Sequence, residues 1–118
     1  MKIIIESRDE LRVIDLEDVV YLKASHNYTD LHYSDNRSKS MLVNLSTVEA
    51  MIAQSAEREG VANSFVRLGR SLLVNTAFVE LVSVKHKMIT FRTPGSMTLS
   101  ATRMSLLALK QHLSQGDG

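Results

Sequence analysis

The chain has 118 residues, a hydrophobic share of 44% and a formal net charge of +1, which suits one globular domain with a modest core spanning residues 1–118. The absence of cysteine excludes disulfides, thiolate metal sites and thiol nucleophiles, and fits a reducing, cytoplasmic setting. Lys2 is followed by only three isoleucines before Glu6, too short a run for a signal peptide or a membrane span, so a soluble protein with no membrane partner is expected. The small net charge hides an asymmetry. Residues 1–60 hold seven Lys/Arg against eleven Asp/Glu, a balance of −4, whereas residues 61–118 hold seven against two, a balance of +5. Such polarity points towards a polyanion-binding face, unless folding intermixes the halves.

Taken in order, Lys2 to Glu6 and Glu10 to Ile14 are β-branched runs around the polar Ser7-Arg8-Asp9, which predicts a hairpin. An acidic turn at Leu16-Glu17-Asp18 precedes Val19 to Leu22, read as a buried strand ending at Lys23-Ala24. Ser25 to Asp30 then sets six hydrogen-bonding side chains between two strands, the kind of loop in which recognition residues concentrate. Tyr28 to Tyr33 forms the next strand, Ser34 to Arg37 a turn, and Ser40 to Val43 a return. Ser46-Thr47-Val48-Glu49 has the pattern of a capping box and predicts a helix over about 46–58, with Leu45, Val48, Met51, Ile52 and Ser55 on one face and Gly60 as its stop.

Phe65 to Asn75 combines buried-type residues with Arg67, Arg70 and Ser71. Strict alternation sends the two arginines to opposite faces, unless Gly69 breaks the register. Leu72 to Val74 is a second apolar run, and Asn75-Thr76 suits a turn. Phe78 to Val84 and Met88 to Phe91 read as strands around His86-Lys87, Pro94-Gly95 marks a turn, and Met97 to Ser100 is a last short strand. Thr102 is the expected N-cap of a terminal helix over about 102–114, placing Arg103 on its first turn. The fold class is therefore mainly β with two short helices.

Catalytic patterns are missing. The four histidines have no metal-ligand spacing, the glycines at 60, 69, 95, 116 and 118 form no phosphate loop, and no serine sits in a nucleophile elbow. A non-enzyme without metal or cofactor is expected. What remains is a set of polar loop ends at Ser25 to Thr29, Arg67 to Ser71, Lys85 to Lys87 and Thr102-Arg103, residue types that suit phosphate oxygens and guanine edges. The competing reading makes Arg70 and Arg103 partners in surface ion pairs.

These residues resemble the LytTR family of bacterial DNA-binding domains. Phe65-Val66-Arg67-Leu68-Gly69-Arg70-Ser71-Leu72-Leu73-Val74-Asn75 matches a Phe-x-Arg-x-His-Arg-Ser-x-x-Val-Asn signature, with Gly69 in place of the histidine. Val19 to Ala24 followed by Asn27-Tyr28 resembles an earlier family strand and turn, with Lys23 where an acid is usual, and Leu99 to Arg103 resembles the late strand leading to Ser-Arg, with Thr102 for serine. The resemblance implies an elongated fold of small antiparallel sheets, used by a transcriptional regulator of a two-component system to read successive major grooves with loops and strand ends. It implies base reading near Asn27, Tyr28 and Thr29 and by Arg103 beside Thr102, with Arg70 and Ser71 in phosphate or nearby base contacts and Arg67 a further DNA-binding position. It also implies double-stranded DNA with direct repeats as partner, protomers paired on DNA, and a receiver domain or another regulator as a possible further partner. The alternative reading is a protein-interaction module that kept the fold and modulates another regulator.

Overall fold

A computed structural model describes residues 1–116, which form three antiparallel sheets and two helices in an elongated body of 46 × 30 × 27 Å. The strands are β1 (Lys2–Glu6), β2 (Leu11–Asp15), β3 (Val19–Ser25), β4 (Tyr28–Tyr33), β5 (Ser38–Met41), β6 (Phe65–Leu68), β7 (Leu72–Asn75), β8 (Val79–Ser83), β9 (Met88–Phe91) and β10 (Thr98–Ser100); the helices are α1 (Leu45–Glu59) and α2 (Arg103–Gly116). The expected strands and both helices are present, each end lying within a few residues of its expected position. No described helix is long and apolar enough to cross a membrane.

The central sheet, ordered β5-β4-β3-β7-β6, divides two cores. On one face, Leu22, Leu31 and Leu73 pack with Val48 and Ile52 of α1 and with Ile3 and Ile14 of the β1-β2 hairpin. On the other, Val20, Tyr21, Leu68 and Val74 meet Ile89 and Phe91 of the β8-β9-β10 sheet and Leu106 and Leu109 of α2. Each such fully buried leucine contributes about 1.5–3 kcal/mol relative to leaving it in water. The central strand serves both cores through a register irregularity between Val19 and Tyr21, which turns the adjacent Val20 and Tyr21 to the same side.

The sheet order keeps β5, β4 and β3 together on one side and β7 and β6 on the other, so the acidic and basic halves of the sequence meet where β3 pairs with β7 and otherwise stay largely apart. Asp15 and Glu17 lie at the end of the sheet where β3 begins, where Asp15 Oδ1 accepts from the Glu17 amide at 3.1 Å. At the same end, Asp35 accepts from the Arg37 amide and from Arg37 Nε, bonds that hold its carboxyl below the usual range.

The start of α1 corrects the capping-box expectation. Asn44, not Ser46, is the N-cap: its Oδ1 accepts from the Thr47 amide at 2.8 Å. Ser46 and Glu49 are instead partners of Arg67, a long-range contact that sequence spacing does not reveal. At the other end of α1, Gly60 adopts φ +67° and closes the helix as anticipated.

Candidate nucleic-acid interface

Four polar segments, separate in sequence, meet at one end of the central sheet. The turn between β3 and β4 and the turn between β6 and β7 are tied together where the Ala24 amide donates to the Ser71 carbonyl at 2.8 Å. The start of α2 lies against the second of these, and Lys23, Gly69, Arg70, Ser71, Thr102 and Ser105 border one shallow cavity of about 280 Å³. The β8-β9 turn joins them through the Ala101 amide, which donates to the Lys87 carbonyl at 3.2 Å. Lys23, Arg70, Lys85, Lys87 and Arg103 are all exposed at this end.

The first turn is tighter than its sequence suggested. Ser25 pairs with Tyr28, so only His26 and Asn27 connect the strands, and His26 takes up a φ of 56° to close the reversal. Asn27 is exposed at the tip and Tyr28 keeps 47% of its surface. Thr29 departs from the expected trio of presented side chains. Strand alternation turns it inwards, it is fully buried, and its hydroxyl donates to the Val43 carbonyl at 2.7 Å. Further along β4, His32 stacks on Tyr21 with ring centroids 4.3 Å apart; burial lowers its pKa, so it is neutral at pH 7 and adds no positive charge.

The second turn is organised by Arg67. Gly69 adopts φ +64° and reverses the chain, and the Arg67 guanidinium folds back over it. Arg67 Nε donates to the Gly69 carbonyl at 3.0 Å and Nη2 to the Arg70 carbonyl at 2.7 Å, while Nη1 donates to Glu49 Oε1 at 2.7 Å and to Ser46 Oγ at 3.3 Å. Together with the Ser71 carbonyl, which the Ala24 amide holds, three successive loop carbonyls are bonded within the protein. The turn thus leaves Arg70 and the Ser71 hydroxyl outermost, and Arg67 itself has most of its donors committed. Gly69 does break the register, as its place in the run allowed: β6 ends at Leu68, and Arg67 and Arg70 part company through this fold-back rather than by strand alternation.

At the start of α2, Thr102 Oγ1 accepts from the Ser105 amide at 3.1 Å, the N-cap bond expected of it. The adjacent Arg103 is exposed on the first turn. Among the described residues neither Arg70 nor Arg103 makes an ion pair, in contrast to the surface-pair reading. Two residues at the cavity, Lys23 and Ser105, were not foreseen as site residues. For Lys23 a signal existed in a lysine closing an apolar strand; for Ser105 there was none, because only packing brings α2 against the Gly69 turn.

No group of histidine, cysteine or carboxylate side chains among the described residues has the arrangement of a metal site. The exposed surface here is cationic, hydroxyl-bearing and open, which suits a polyanion whose phosphates meet the cations while bases meet the side chains at the turn tips. Comparison with known proteins agrees with that chemistry. A search of curated proteins finds no match. Among solved structures, the LytTr DNA-binding domain of a protein described as a methyl-accepting/DNA response regulator from Bacillus cereus is similar in fold, with a TM-score of 0.59, 16% identity and 95% of each chain covered. The family model of the LytTr DNA-binding domain matches residues 9–114. The chain therefore belongs to the LytTr DNA-binding domain family.

Proposed function

We propose that residues 1–118 act as one domain that binds double-stranded DNA sequence-specifically, with the cationic end reading successive major grooves. The observation that carries this reading is the convergence of Lys23 of β3, the Gly69-Ser71 turn and the start of α2 around one cavity, with Arg70 and Arg103 exposed and unpaired among the described residues. In it, Arg103 and the Asn27-Tyr28 tip contact base edges, Arg70 and the Ser71 hydroxyl contact phosphates, and Lys23 adds a further phosphate contact. Arg67, Thr29 and Thr102 act by position: the first shapes the Gly69-Ser71 turn, the second anchors the start of β4, and the third caps α2. Sites in direct repeat, occupied by paired protomers, fit a reader that approaches the duplex with one end.

Selection against random duplexes tests this. A single enriched motif, bound less tightly as salt rises, is the expected result; no enrichment, or capture that ignores salt, overturns sequence-specific reading. Arg70→Ala should weaken all sequences alike and reduce the salt slope by about one.

A further inference from the structure

Beside Arg103, the first turn of α2 presents a side chain that neither the core nor the cationic surface accounts for. Met104 is 82% exposed, the most exposed large apolar residue among those described. Its direction follows from helical geometry. Leu106 and Leu109 enter the core, and Ser105 faces the Gly69 turn, its Oγ 3.8 Å from where a Cβ on Gly69 would stand. With successive residues about 100° apart, Met104 points away from the core, between Ser105 on one side and Arg103 on the other. Side chains lean towards the N-terminus of a helix, so on this first turn Met104 leans towards the cationic end. An apolar group thus stands between Arg103 and the Gly69-Ser71 turn that carries Arg70, two cations without ion pairs among the described residues.

We infer that Met104 is a specificity residue that packs on the C5-methyl group of a thymine, next to the base pair that Arg103 reads. The inference rests on the reading of this end as a sequence-specific DNA surface. A protein surface covering Met104 would also have to satisfy both arginines. The major groove does so with phosphates, and thymine offers there an apolar group for the methionine. Cytosine in the same place carries no methyl and turns a polar amine to the groove, so the contact separates thymine from cytosine where Arg103, a donor of hydrogen bonds, selects guanine. The unbranched thioether chain of methionine has three rotatable bonds and adapts to the position of the methyl.

The test uses the duplex enriched from random DNA, with each thymine replaced singly by uracil, which removes the methyl and keeps the hydrogen-bonding edge. The parent protein should lose about fourfold in affinity at one such position, the effect of one buried methyl. Met104→Ala should bind the thymine duplex at least as weakly as the parent binds the uracil duplex, and should be indifferent to the replacement, so that the two losses do not add. Met104→Leu, a swap of similar volume, should keep the discrimination. Alanine favours the helix and the position is exposed, so the circular dichroism spectrum of Met104→Ala should match that of the parent. No enriched motif overturns the sequence-specific reading and this inference with it. An enriched motif without thymine, a parent indifferent to uracil at every position, or a uracil effect that persists in Met104→Ala overturns the inference alone. So does a Met104→Ala variant with unaltered DNA affinity and altered self-association, which assigns the residue to a protein contact.

Discussion

The two helices begin differently. The first turn of α1 spends its polar groups inside the protein: Asn44 caps the helix, and Ser46 and Glu49 both hold Arg67. The first turn of α2 uses a single hydroxyl for its cap and leaves Arg103 exposed and without an ion pair among the described residues. A polar side chain on a first helical turn is thus a structural or a presented group according to what packs beside it. Beside α1 lies the β6-β7 turn, whose carbonyls need donors, and Arg67 links the two; beside α2 lies the same turn from its outer side, where carbonyls are already satisfied. One arginine is consumed so that others can be offered.

The comparison breaks most directly at Arg67. Arg67→Ala removes charge-assisted bonds to Glu49 and to two carbonyls, and should cost about 1.5–3 kcal/mol of unfolding free energy, read by urea denaturation. It should also lower DNA affinity, since the Gly69-Ser71 turn loses its brace; a variant of unaltered stability would refute the bracing role. Arg103→Ala should reverse that pattern, leaving stability within about 0.5 kcal/mol and costing about 1–3 kcal/mol in DNA binding with relaxed preference at one base position. Unchanged site selection by Arg103→Ala would remove it from the readers.

Smaller effects sharpen the contrast between the helix starts. Asn44→Ala should cost about 1 kcal/mol of stability as the true cap of α1, and Thr102→Ala a similar amount at α2. Ser46→Ala, by contrast, loses one long bond of 3.3 Å at an exposed position and should stay within about 0.5 kcal/mol. Thermal or chemical denaturation of the three variants orders them, and a larger loss for Ser46→Ala than for Asn44→Ala would restore the capping box that its spacing suggested.

The sequence by itself determined what period, propensity and turn chemistry control. Alternation and β-branched runs placed the strands, Gly60 and Thr102 marked helix ends, and the Phe65-Asn75 signature together with Asn27-Tyr28 and Thr102-Arg103 carried the family. These signals are local, and local physics reads them. Tertiary structure alone decided which polar groups are spent. Ser46-x-x-Glu49 has the spacing of a capping box, yet both residues turn to Arg67 from 21 and 18 residues away. Thr29 belongs to a polar stretch, yet strand alternation and the Val43 carbonyl bury it. The two halves of the chain meet where β3 pairs with β7, and a cationic end emerges there from residues as distant as Lys23 and Arg103. Hydrogen-bond partners and charge neighbours are set by contacts between strands and helices far apart in the chain, and a side chain is available to a ligand only after those contacts are satisfied.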